Sequence, residues 1–263
     1  MKLNKIAALL LTSGTLAMSG GMAQAAAINV GGVVWDPDYS DDFLSLGTLQ
    51  EAVTTFAGNT ITGYGKFTEL NDQPESFFCP DCDLTFRFTG YTLENNLAGT
   101  QGEVFAFTGG ILEIFTVAKG SYTPLNPNSA IGDVWLSLVG NTTAFASLGY
   151  TEGETLVGTL TNPSTANLAS IAGEGSGYLD VAGGLAAQYF DTNGEIAGAD
   201  FFYTSTFTPR NTPIVGADGT VYTHSGGATV KGDSMAVPEP SVLALLGLGL
   251  VGLGAARRTR KSA

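Results

Sequence analysis

An all-β domain, a sandwich or jelly roll, is what the middle of this sequence predicts, and three observations carry that reading. Apolar and polar residues alternate with period two in short runs: in LTFRFTGYTL, Leu84, Phe86 and Phe88 alternate with Thr85, Arg87 and Thr89. Runs rich in β-branched and aromatic residues are separated by Gly, Pro, Asn and Ser clusters, at a spacing that admits roughly eight to twelve strands. No convincing helical period appears between the two ends of the chain; the one weak helical candidate spans Asp42 to Thr55.

Taken in order, the chain opens with MKLNKIAALLLTSGTLAMSGGMAQAAA. Lys2 and Lys5 form a positive region, Ile6 to Met18 an apolar run, and Ala23-Gln24-Ala25 a small-x-small cleavage site. Residues 1–25 therefore read as a secretory signal, with the mature chain starting near Ala26 outside the cytoplasm. Residues 26–211 hold the β domain. There ITGYGKFTEL, VWLSLVG, TLVGTL and FFYTSTFT are strand candidates, and EVFAFTGGILEIFTV reads as a hairpin turning at Gly109-Gly110. Thr161 to Gly177 reads as a long loop, and residues 212–236 as a last strand or two followed by a flexible stalk. No repeat of fixed period is found.

The C-terminal residues 237–263 read VPEPSVLALLGLGLVGLGAARRTRKSA. From Ser241 to Ala256 the run is uncharged and has no polar stripe at helical spacing, so it is not a core helix. As a helix it would be roughly 24 Å long, short of the ~30 Å hydrocarbon core. Pro238 and Pro240 bracket it upstream. Arg257, Arg258, Arg260 and Lys261 form a basic stop that favours the cytoplasmic face and leaves the domain outside. A small motif, an apolar stretch and a charged end follow the logic of tails that are recognised and cut. Val237-Pro238-Glu239-Pro240, the Leu/Gly/Ala segment and the arginine cluster together resemble the PEP-CTERM sorting signal of Gram-negative bacteria.

That resemblance implies exosortase, a membrane-embedded enzyme of transpeptidase type, as processing partner. It also implies transient contact with the inner membrane through the C-terminal helix, and a final place at the cell surface or in the extracellular matrix. Exopolysaccharide is the implied companion. A second resemblance rests on DPDYSDDFLSLGTLQ, YGKFTEL and FAFTGGILEIF. Between Asp36 and Val139 these are similar to the flocculation-associated branch of PEP-CTERM proteins, which implies a role in holding cells and exopolysaccharide together; Cys79 and Cys82 have no place in its pattern.

All 24 acidic residues lie between Ala26 and Pro240, with only Lys66, Arg87, Lys119, Arg210 and Lys231 against them, a net charge of about −19 for that span. Such a surface repels nucleic acid. The two cysteines, Cys79 and Cys82, form a C-x-x-C; four zinc ligands are not available with His224 as sole histidine, and an exported chain favours a local disulfide over a redox or metal role. No catalytic residue is assigned: His224 beside Ser225 reads as an ordinary polar residue, no G-x-S-x-G elbow occurs, and Glu113 reads as one face of a strand. Glycoside hydrolysis needs only two carboxylates, so a matrix glycosidase stands as a rival, and a lectin-like module using Trp35, Tyr39, Trp135 or Tyr150 as another; Trp135 in VWLSL is read as core. No cofactor is expected. Calcium is the one ligand weighed, at Asp36, Asp38 and Asp41 and at Asp191, Asn193 and Glu195; neither group fits the EF-hand pattern. Asn141-Thr-Thr143 matches a glycosylation sequon by pattern alone.

Overall fold

The structure, a computed structural model, describes residues 27–39, 42–162 and 170–235. Ala23 and Ala25, Asp41, the motif Val237–Pro240 and the basic stop lie outside the described residues. Within them the all-β class holds. A two-stranded hairpin, β1 (Ile28–Val30) and β2 (Val33–Trp35), precedes ten strands of a single sheet. These are β3 (Phe43–Ala52), β4 (Thr60–Leu70), β5 (Gln73–Pro74), β6 (Cys82–Leu93), β7 (Val104–Ala118), β8 (Asp133–Gly140), β9 (Glu154–Asn162), β10 (Ala172–Gly183), β11 (Phe201–Val215) and β12 (Val221–Gly232).

The sheet closes on itself. Its order runs β11-β12-β3-β4-β6-β7-β8-β10, and β10 then pairs with β11 again from Gly173↔Phe207 to Leu179↔Phe201. Strands β8 and β9 share one lane end to end: β7 pairs through Ile111–Thr116 with β8 and through Val104–Thr108 with β9. Every pairing is antiparallel, and closure leaves the principal strands without an open edge. The result is a sandwich-like barrel around one core. Phe43, Trp135, Phe190 and Phe201 fill one end, with Phe43 stacked on Trp135 at 5.7 Å and edge-on to Phe201 at 5.9 Å.

Many glycines serve as seats for aromatic rings on the next strand. Gly63 faces Phe88 and Gly65 faces Phe86 across β4–β6; Gly173 faces Phe207 and Gly177 faces Tyr203 across β10–β11. At Gly65 an added Cβ would collide with the Thr48 carbonyl oxygen and the Phe86 ring. The absent side chain lets the ring lie flat on the neighbouring backbone and fill the core from one side.

Four expectations change. Asp42 to Thr55 is not helical: Phe43, Ser45 and Leu49 point inward at period two in β3. Gly109-Gly110 does not reverse the chain. β7 continues through it, paired along its length with β6, and φ values of +73° and +92° bend the strand, with the Tyr91 ring occupying the space a Gly110 side chain would need. Of the stretch read as a loop from Thr161 to Gly177, most of the described residues are strand: β9 reaches Asn162 and β10 starts at Ala172. The boundary expected after residue 211 falls inside β11, while the last strand expected within residues 212–236 is β12, which pairs with β3 and β11.

Candidate functional site

Outside the barrel, β3, β12, β11, β10 and β9 form the floor of a groove of about 500 Å³. Because Phe201, Tyr203 and Phe207 face the core, the alternate residues Thr204 and Thr206 face out. The register extends that face sideways. Thr204 lies opposite Thr229 on one side and Ser176 on the other, and Glu174 lies between Thr206 and Thr159. The Gly227 amide donates to Thr206 Oγ1 at 3.2 Å. Short hydroxyl side chains thus make a shallow polar floor in which Glu174 is the one charged residue. Leu46 and Tyr150 stand at its rim, 41% and 46% exposed, and the Tyr150 ring is braced edge-on by Phe145 at 5.6 Å. A sugar ring offers one apolar face and a rim of hydroxyls, and a braced aromatic beside hydroxyl partners suits both.

The four aromatics weighed for stacking separate cleanly. Trp135 is core, as expected from VWLSL, with its indole N–H donating to the Val30 carbonyl at 2.9 Å. Trp35 is buried as well, contrary to its reading as an exposed candidate, and the Tyr39 hydroxyl is engaged by Asp72 at 2.7 Å. Tyr150 alone of the four borders the groove. Its partners there were illegible, since no local motif marks Ser176, Thr204 or Thr229; only register brings them together.

The remaining candidates have structural posts. Cys79 and Cys82 are joined in a disulfide, and Lys119 Nζ donates to both their carbonyls at 2.9 and 3.0 Å. Lys119 also pairs with Glu75 at 3.1 Å, and Lys66 bridges Glu75 and Asp83 at 2.8 and 3.1 Å. Burial opposes ionisation of Asp83, yet its bonds to Glu75, Lys66 and the Gly120 and Tyr122 amides outweigh it and hold the pKa below the ordinary value. His224 is fully buried on β12. Its Nε2 lies 3.0 Å from the Ile171 carbonyl, which can only accept, so Nε2 carries the proton and Nδ1 accepts from Thr223 at 2.8 Å. Burial also lowers its pKa. Glu113 is on the outer face, in register with Arg87, while Leu112 and Ile114 point inward.

At the acidic turns, the Asp38 amide donates to Asp36 Oδ1 at 3.0 Å. Asn193 Nδ2 donates to Asp191 Oδ1 at 3.3 Å, and Glu195 faces Lys231 at 3.9 Å. Among the described residues no three Asp, Glu, His or Cys side chains are grouped as a metal site would require. The sequon amide is spent internally: Asn141 Nδ2 donates to Asp180 at 2.8 Å while its Oδ1 accepts from Thr143 and Ala144.

Beyond the last described residue, residues 236–261 match the family model of the PEP-CTERM protein-sorting motif. The chain carries a PEP-CTERM sorting signal. The match takes in Val237, Pro238, Glu239 and Pro240, the apolar run and the basic residues up to Lys261. This signal marks an exported protein whose processing enzyme is exosortase. Neither a curated protein nor a solved structure matches the chain. The PEP-CTERM signal thus supplies the address, and the barrel has to be read from its own geometry.

Proposed function

We propose that this is a non-enzymatic surface or matrix protein of a Gram-negative bacterium, delivered by exosortase, that associates with exopolysaccharide in biofilm or flocs and needs no cofactor. The groove floored by Thr204, Thr206, Thr229 and Ser176 beneath Tyr150 is the observation that carries the reading. A chain with a net charge of about −19 between Ala26 and Pro240 repels polyanions, so the fitting polymer is neutral or carries amino groups.

The test uses protein released from its native cells and co-sedimented with exopolysaccharide purified from them. Tyr150→Ala, which removes the stacking face, and Thr204→Lys, which fills the groove from outside, should each lower the bound fraction several-fold with the unfolding midpoint little changed. Equal binding by both variants removes the groove from the proposal. No binding by the wild type sinks the matrix reading. A few sharp hits among defined glycans would favour the lectin-like alternative, and turnover of the polymer would revive the glycosidase.

A further inference from the structure

The end of β12 bears directly on the sorting reaction, and the inference below rests on exosortase processing of the tail. After Gly232 the chain does not leave the barrel. The Ser234 amide and hydroxyl both donate to Asp42 Oδ2, at 2.8 and 3.0 Å. The indole N–H of buried Trp35 donates to the same hydroxyl at 3.2 Å, and the Met235 amide donates to the Tyr189 carbonyl at 2.7 Å. Trp35 is itself packed edge-on against Tyr189 at 5.6 Å. Four hydrogen bonds therefore hold Ser234 and Met235 down, and Val237 of the sorting motif is only two residues further on.

We propose that this latch is a positioning element of the sorting reaction: closed, it ties the chain to the barrel two residues before the motif, and it has to open before the motif can enter exosortase. Chain geometry sets the requirement. With Met235 pinned, Val237 lies within roughly 7 Å of it and Glu239 within roughly 14 Å. An enzyme that cleaves a peptide takes it in extended form, with residues on the upstream side clear of the folded domain. Opening the latch moves the last fixed point back to Gly232, which is paired with both Phe201 and Phe43, and frees about 10 Å of chain. Slack beyond that would require stripping β12, whose Val230 is in the core. The latch, by contrast, is shallow: Met235 is 44% exposed. Its release leaves the pairing of β12 with β11 and β3 in place.

The open population scales the rate at which an unsaturated enzyme finds its substrate. Ser234→Ala deletes two of the four bonds, so tail removal should accelerate roughly 5- to 30-fold. A Gly-Ser-Gly-Ser spacer between Met235 and Ala236 provides the same slack with the latch closed. It should match that acceleration in the wild type and add little to Ser234→Ala.

The experiment follows tail loss by pulse-chase and intact mass in the native cells, using full-length wild type, Ser234→Ala, the spacer variant, their combination and the Pro238/Glu239/Pro240 triple alanine. Faster processing in both single variants without additivity supports the latch. Unchanged or slower processing in the spacer variant, which leaves every latch contact in place, overturns it, provided the triple alanine blocks cleavage. If the wild type keeps its tail as the triple alanine does, exosortase processing itself is wrong, and the latch falls with it.

Discussion

Glu51 gives the sharpest test of how the barrel interior is built. It sits on β3 opposite His224 of β12, 6% exposed, in an apolar niche with Phe105, Phe107, Leu156 and Phe207. Its Oε2 has no hydrogen-bond partner, and burial pushes its pKa from 4.5 up to about 8. The folded chain therefore holds this proton more tightly than the unfolded chain does. The carboxyl's contribution is complete below pH 4.5 and is lost as pH rises through about 8. At 1.36 kcal/mol per factor of ten, the gap corresponds to about 5 kcal/mol, a large share of the 5–15 kcal/mol typical of a domain. Glu51→Gln removes the titration and keeps the shape. The assay is guanidinium unfolding of both proteins from pH 5 to pH 9 with the disulfide intact. The stability of Glu51→Gln relative to wild type should climb by about 3–5 kcal/mol across that range. His224 acts in the opposite sense: with its folded pKa lowered, its contribution is complete above 6.5 and falls as pH drops. It is present in both proteins, so the difference isolates Glu51. A difference that stays flat with pH would refute the placement of a protonated carboxyl in the core.

Three further outcomes follow from named contacts. Gly65→Ala forces a Cβ into the Thr48 carbonyl and the Phe86 ring, and should cost about 2–4 kcal/mol, read as a drop in thermal midpoint; a loss below 0.5 kcal/mol would mean the seat is not tight. Removing the Cys79–Cys82 bridge by a double Ser substitution should cost only about 2 kcal/mol, because the loop it closes is so short, and an intact folding transition would be retained in denaturant titration. Asp83 has a depressed folded pKa, so its stabilising effect is present above 3.8 and is lost as pH falls; Asp83→Asn should show a shallower acid transition below about pH 4 than wild type.

What the sequence disclosed followed the period-two signal. In β6, Leu84, Phe86 and Phe88 are buried, as LTFRFTGYTL predicts, but Thr85 on the other face is buried too. Its hydroxyl donates to the Ala130 carbonyl at 2.8 Å, because the segment around Pro127–Ala130 folds over that strand. No pattern local to β6 records that cover. The AGEGSG stretch of β10 looked like a loop because glycine is a poor strand former alone. Here β9 and β11 pair with it on both sides, and Phe207 and Tyr203 lie over Gly173 and Gly177. The same long-range register makes the groove, so a floor contributed by five strands has no signature in any one of them. The sorting tail was legible for the opposite reason: its three elements are contiguous, and an enzyme must read them as sequence.

Closure of the sheet and the character of its outer surface bear on one another. In the surface or matrix setting proposed above, a protein at high density would be exposed to edge-to-edge strand pairing, and an open ten-stranded sheet would present two long edges for it. Return pairing of β10 onto β11 removes both, at the cost of threading a glycine-rich strand between two neighbours. The acidic surface adds mutual repulsion between copies. With edges closed and copies held apart, association by the barrel falls to side-chain chemistry at particular places, and the groove under Tyr150 combines apolar rim and hydroxyl floor on a face of small residues. If adhesion instead ran through strand exchange, Tyr150→Ala would leave it intact while a Pro substitution at Ser205, in the β10–β11 seam, would abolish it. The closed barrel predicts loss with the first, and the proline variant serves only to show what a broken seam looks like.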